Sequence, residues 1–324
     1  MKNKTMLVIV AGLMILLAVA VSVFSVRYVE KGGSLITIGT ELRNTIEIPL
    51  SRADCLLADY GSKNLEVYTW KEDRIVIKEY LGNAREDAKA TVEYDGDEAI
   101  VTGGRWNWSW RNLFWGGLNE RIEIYLPEQG ISGLELVTGS GNINAKGEFS
   151  VETAKAVVRA GSGNIRWRET KAKDIVLYAN SGNIHGEALE GVTDVHTGSG
   201  NITIKNITGI LKAEAGSGNI TVEELAGGCM AQAGSGNLRV EAKAVTDDIT
   251  LHTGSGNQRL DLPKSLSFSM EVNTNSGNIH TDYDDLLSYG KKGNQATGQV
   301  GEAPVCLVTC QAGSGNVTIR SNVK

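Results

Sequence analysis

Few residue types in this chain are suited to chemistry, and one pattern outnumbers the rest. Ser-Gly-Asn occurs nine times, with its asparagines at Asn142, Asn164, Asn183, Asn201, Asn219, Asn237, Asn257, Asn278 and Asn316. A serine nucleophile needs a paired base and a site for the developing oxyanion. Nine equivalent serines without such a base are turn formers instead. The four histidines, His185, His196, His252 and His280, lie at outward strand positions, far apart in rung number and with no visible shared acidic partner. The four cysteines, Cys55, Cys229, Cys306 and Cys310, follow no zinc-ligand spacing. Cys306 and Cys310 share one strand parity, roughly 13 Å apart in an extended chain, too far for a disulfide. The thiols therefore read as free core residues. Asp282, Asp284 and Asp285 could ligate a hard cation but lack calcium-loop spacing, and read as a solvated acidic turn. No catalytic, cofactor or metal site is expected.

The elements that carry these residues follow from the repeat. Successive asparagines are 22, 19, 18, 18, 18, 20, 21 and 38 residues apart, the last gap spanning about two periods with an insertion. A period near 20 is the mark of a stacked-repeat architecture. Small residues recur two positions before each serine (Thr138, Ala160, Ala179, Thr197), and apolar ones two positions earlier (Leu136, Val158, Leu177, Val195). After each asparagine comes Ile143, Ile165, Ile184, Ile202, Ile220, Leu238, Gln258, Ile279 or Val317. This is a period-2 strand, a tight turn and a second period-2 strand. Gly141, Gly163, Gly182, Gly200, Gly218, Gly236, Gly256, Gly277 and Gly315 fill the turn. Glycine is expected there for positive φ, and asparagine because it tolerates the left-handed region. Coils stacked about 4.8 Å apart would lay the Asn amides over one another in a ladder. Leu189, Ile207, Leu225, Val245 and Leu266 supply a third inward column. The fold expected is an all-β, single-stranded parallel β-solenoid of ~20-residue coils, preceded by one N-terminal transmembrane helix. A string of antiparallel hairpins is the alternative, although it need not hold an 18-residue period three times running.

The segments LELVTGSGNINA, DVHTGSGNITI, EVNTNSGNIHT and VTCQAGSGNVTI resemble the bacterial putative-adhesin β-strand-repeat family. The resemblance covers roughly residues 50–324. It implies a membrane-anchored protein, often associated with cell-envelope stress systems, whose defining domain has no assigned function. No catalytic motif defines that family, so only the turn itself carries over.

Read in order, residues 1–4 are a short tail, and residues 5–26 contain no charged side chain. These residues would span roughly 33 Å as a helix, enough for the bilayer core. The short tail favours an N-in, C-out orientation, with the C-terminal domain outside the cell membrane. A cleaved signal peptide is the alternative, with Ala18-Val19-Ala20 as a weak cleavage site. Residues 27–50 read as a juxtamembrane link and first strand, and 51–130 as a divergent β cap. In that cap Tyr60-Gly-Ser-Lys-Asn-Leu65 looks like a worn copy of the turn. The repeat solenoid follows over 131–324, interrupted near 282–304 by a loop or an irregular rung. The polar C-terminus suits a final exposed rung.

Two surfaces could make contacts. Arg105, Trp106, Trp108, Trp110, Arg111, Phe114 and Trp115 either plug the open solenoid end or form an aromatic patch for lipid head groups or a partner protein. Arg166, His185, Arg239, Arg259 and His280 would stack as a mildly basic stripe facing anionic wall polymers, or as a plain solvated face. The net charge of −6 argues against nucleic acid as a partner. The function expected is a non-enzymatic, membrane-tethered extracytoplasmic module for adhesion, scaffolding or envelope stress. Its partners would be the membrane, an envelope protein or an anionic cell-wall polymer. A β-helix enzyme or binding protein acting on polysaccharide is the alternative, but such enzymes gather carboxylates across neighbouring rungs, and few are stacked here.

Overall fold

Strands that alternate apolar and polar residues, joined by a tight turn, can bury their apolar set only against further copies of themselves. The computed structural model, which describes residues 40–82, 86–104, 120–147 and 150–322, shows that stacking. Strand Val151–Ala160 pairs in parallel with Ile131–Thr138 on one edge and with Ile165–Ala179 on the other. Parallel pairing continues through Ile184–Thr197, Ile202–Ser217, Ile220–Ser235 and Leu238–Ser255. The register sets Ile165, Ile184, Ile202, Ile220 and Leu238 over one another, and all five are buried. Parallel pairing throughout these coils excludes the hairpin alternative. Trp167, also fully buried, pairs with Gly186, which leaves room in the column beside so large a ring.

Each coil has two further corners besides the Ser-Gly-Asn turn. One lies at Glu169, Ala188, Asn206 and Glu224, all with φ of 44–55°. The next lies at Gly191, Gly209 and Gly227, where Gly209 has φ 121°, a conformation that side chains resist. Between the two corners, Leu189, Ile207 and Leu225 stack and are buried. The column expected from the sequence then shifts, since Ala242 takes the place over Leu225, Val245 lies over Gly227, and Leu266 is only partly buried.

The Ser-Gly-Asn turn meets the sequence expectation only in part. Gly218, Gly236, Gly256 and Gly315 have φ of 142–159°, whereas Gly200 and all of the asparagines lack positive φ. At every one of these turns glycine is also required by proximity. A Cβ on Gly200 would lie 2.0 Å from the carbonyl oxygen of Gly182, and one on Gly182 would lie 1.8 Å from that of Gly163. Backbone touches backbone along the whole column. Beside it runs the asparagine ladder. From Asn142 to Asn257, each asparagine donates its backbone N–H (2.9 Å) and its Nδ2 (3.2–3.3 Å) to Oδ1 of the one before, starting from Asn64. Asn64 closes the segment Tyr60–Asn64, so the ladder begins in the divergent N-terminal region.

At the N-terminal end Cys55–Asp59 and Asn64–Trp70 form a coil that pairs in parallel with Ile131–Thr138 and Ile143–Ala145 on one edge and, out of chain order, with Glu98–Thr102 and Arg121–Pro127 on the other; antiparallel strands extend that outer rung. Arg121–Pro127 pairs with Arg74–Leu81, which pairs with Glu41–Pro49; Glu98–Thr102 pairs with Thr91–Asp95. A fully buried carboxylate, Glu79, fastens this layer: its Oε2 accepts from Asn44 Nδ2 (2.7 Å) and the Ala90 N–H (2.9 Å). Burial, then the Glu79 charge, holds the neighbouring Tyr60 phenol well above its ordinary pKa.

The C-terminal end departs from chain order. Asn316 N–H donates to Asn257 Oδ1, and Asn278 N–H donates to Asn316 Oδ1. Strands Leu307–Ser314 and Val317–Asn322 therefore lie between Leu238–Pro263 and Phe268–Thr281. Val317–Asn322 occupies the penultimate rung rather than the exposed last one. The return path is Gln295–Val300, which runs antiparallel to Phe268–Ser276 and carries the chain back to where a parallel strand must start. Strand Leu287–Tyr289 pairs outside it.

Among the described residues no helix is long and apolar enough to cross a membrane, and residues 5–26 lie outside them.

Gly200→Val should lower stability by about 3 kcal/mol or more, because two backbones must separate. Asn219→Ala should cost roughly 1–2 kcal/mol by removing bonds to both neighbouring rungs. Asn278→Ala, at the ladder's end, should cost less than Asn219→Ala. Equal melting temperatures for the two asparagine variants would count against the ladder.

Candidate binding face

Strand alternation puts every second residue of the pre-turn strand outward, and the parallel register stacks those residues rung on rung. The resulting column reads Arg159, Tyr178, His196, Glu214, Gln232, His252 and Gln311. Every member has a planar end. The Tyr178 and His196 rings stack with centroids 5.1 Å apart and planes inclined by 9°. His196 Nδ1 lies 3.6 Å from Glu214 Oε2, which gives this one histidine an acidic neighbour. It was hidden in the sequence because the two residues are 18 apart and meet only through the stack. Lys212 Nζ lies 3.1 Å from Glu214 Oε1 and 4.0 Å from Asp194 Oδ2. A hydrogen bond to Glu214, then the Asp194 charge, raises the Lys212 pKa. Arg159 pairs with Glu135 at the head of the column.

This arrangement offers flat, half-exposed rings and amides at a rung repeat. Such a surface can stack against sugar rings and hydrogen-bond their hydroxyls. Among the described residues it brings no serine or cysteine nucleophile to the His196–Glu214 pair.

In the post-turn stripe expected to be mildly basic, two of the three arginines have a carboxylate neighbour. Arg166 and His185 pair across neighbouring strands, as do Arg239 and Arg259. Threonines 203 and 221 separate these two pairs. Arg259 makes a bidentate contact with Asp261 (2.9 and 3.1 Å), and Arg239 lies 4.0 Å from Glu241. A carboxylate two residues on lies on the same face of the strand, a spacing the sequence does display.

Asp282, Asp284 and Asp285 do not converge. Asp282 Oδ2 accepts from the Ser321 N–H (2.9 Å), and Asp284 accepts from the Tyr289 hydroxyl. Asp54, Cys55 and Asp97 do bring their donor atoms within 4.8 Å of one another. However, Asp54 already accepts from the Ser132 hydroxyl (2.5 Å). Burial, then the nearby carboxylates, raises the Cys55 pKa and opposes the thiolate that a soft metal requires. The four cysteines are free; Cys229, Cys306 and Cys310 are buried, whereas Cys55 is only half-buried. The aromatic segment 105–117 lies outside the described residues.

Fold and face together define a stacked-coil β protein with an asparagine ladder and a polar, planar outer column. The chain belongs to the Toastrack DUF4097 family, whose model matches residues 43–320. A putative adhesin from Parabacteroides distasonis is similar in structure, 13% identical over 87% of this chain and 98% of that one, with a TM-score of 0.50. A putative adhesin from Bacteroides fragilis is 14% identical over 86% and 96% of the two chains, with a TM-score of 0.38. No curated protein matches the chain. The likeness to the Parabacteroides distasonis protein is one of fold, and it agrees with an all-β domain.

Burial pushes the Cys229 and Cys310 thiols up to about 12. At pH 8 their thiolate population is on the order of one in ten thousand, so a thiol reagent should label Cys55 first and these two only after unfolding. Because the unfolded thiols ionise near pH ~8.5, stability should fall as pH rises from about 9 towards 12. Rapid labelling of Cys229 in the native protein would contradict the packing described.

Proposed function

We propose that this protein is a non-enzymatic adhesion or scaffold module of the cell envelope, held at the outer side of the membrane by residues 5–26. Its contact is a cell-wall polymer laid along the column from Tyr178 to Gln311. The observation that carries this reading is the stack of planar side chains at rung spacing on a face stiffened by continuous parallel pairing. A polymer whose units repeat along its length can meet a surface that also repeats, so each rung adds a weak contact. The uncharged N-terminal stretch supports the tether, and the family's association with envelope stress systems supports the setting. Arg105, Trp106, Trp108, Trp110, Arg111, Phe114 and Trp115 are a second proposed contact, toward lipid head groups or an envelope protein.

The test is binding of the full chain, in detergent micelles, to isolated cell walls. Tyr178→Ala combined with His252→Ala should weaken binding roughly tenfold. Thr203→Ala, on another face, should leave it unchanged. Unaltered binding by the double variant would remove the column from the proposal. Changing Trp106, Trp108 and Trp110 to Ala, with anionic liposomes as probe, separates the second contact from the first. Release of the chain from membranes by alkaline washing would overturn the tether.

A further inference from the structure

Strand Leu287–Tyr289 is the outermost strand of the C-terminal tip. Among the described residues its only strand partner is Gln295–Val300, so its outer edge presents unpaired backbone groups. Proteins commonly block such edges with charge, proline or a bulge. Here the flanking charges are of opposite sign at the two ends. Asp284 and Asp285 lie in the short turn Asp284–Leu286 that leads in, and Lys291 and Lys292 in the turn that leads out. Asp285, Lys291 and Lys292 are exposed and make no ion pair with the described residues of their own chain. Leu286 and Tyr289 are 53% and 42% exposed, two of the larger apolar side chains left facing solvent.

We infer that this edge is a self-association surface, on which a second copy of the chain pairs antiparallel across a two-fold axis centred on Ser288. In that register residue numbers facing each other sum to a constant. Within the strand Leu287 falls opposite Tyr289, and beyond it the acidic turn Asp284–Leu286 of each copy is brought to the same end as the Lys291–Lys292 turn of the other, so Asp285 neighbours Lys291 of the second copy and symmetry repeats the contact. A parallel arrangement would instead bring like charges together. The neighbouring free edge, Ile279–Thr281, has no such complementarity: self-pairing about His280 would set Asp282 against Asn278. The outer strands at the N-terminal end border in sequence on segments outside the described residues, and nothing rests on them. The inference is independent of the membrane tether and of the polymer contact.

The experiment measures the association state of the full chain in detergent micelles by sedimentation. The unaltered chain should dimerise. Lys291→Glu alone, or Asp285→Lys alone, should weaken the dimer roughly tenfold or more, since each places two like-charged pairs across the axis. An equimolar mixture of the two variants should recover dimer, because each altered charge then faces its opposite. Ser288→Cys should form a disulfide-linked dimer on mild oxidation, as residues facing across an antiparallel pair have Cα atoms ~4.5–5.5 Å apart. Thr203→Cys, in the middle of another face, should not. All substituted side chains are at the surface, so circular dichroism should report unchanged folding. A chain that stays monomeric at about 100 µM and gives no Ser288→Cys cross-link would overturn the inference. So would a dimer indifferent to both charge reversals.

Discussion

The closest contact in this molecule is backbone on backbone. At each Ser-Gly-Asn turn the glycine of one coil lies against the carbonyl of the glycine before it, so near that a Cβ on Gly163 would fall 1.7 Å from that oxygen. The remaining architecture depends on this approach. It fixes the rung spacing, which brings each asparagine amide within reach of the next, and it leaves no tolerance for slip. Because Oδ1 of each interior asparagine accepts two bonds while Nδ2 donates one, the ladder reinforces the register from the outside. The buried isoleucine column reinforces it from within. Polar and apolar terms specify the same alignment, as expected of a sequence with little internal conflict.

A stack of identical rungs has no natural end, and an open terminal rung is a template for further pairing. The two ends are closed differently. At the N-terminal end, antiparallel strands and the buried Glu79 hold an added layer in place. At the other end the chain overshoots, folds back as Leu287–Tyr289 and Gln295–Val300, and then inserts its last strands beneath the rung it has already built. Gln258 sits at this junction in a column otherwise aliphatic. It is buried, and its Nε2 donates to Gln311 O at 2.6 Å, tying the inserted strand to the coil below. A polar residue here is consistent with marking a place where strand order departs from chain order.

The outer faces carry whatever specificity the protein has, since the interior is committed to stacking. On one face Arg239 and Arg259 are met by carboxylates two residues along the same strand. On another, Tyr178, His196 and Glu214 meet one another across rungs. The difference matters for recognition. An in-strand ion pair is self-contained, whereas a cross-rung column has a direction and a repeat that an external polymer can match.

The sequence by itself determined the coil. Period, inward columns, turn residues and the ladder were all legible, because each reflects a local rule: alternation along a strand, the absence of a Cβ, an amide beside its own copy. The corner glycines Gly191, Gly209 and Gly227 recur at 18 residues and could have been found the same way. Only the tertiary structure decided how the rungs are ordered and who meets whom across them. Leu307–Ser314 and Phe268–Ser276 carry the same alternating pattern and the same turn, so either could occupy the last rung. The choice was made by the returning strand Gln295–Val300, a non-local pairing that no residue pattern encodes. The positive φ expected of the turn glycines is found at Gly218, Gly236, Gly256 and Gly315, but the requirement common to all nine was hidden for the same reason: φ is a property of one residue, whereas the carbonyl that excludes a side chain belongs to the neighbouring coil.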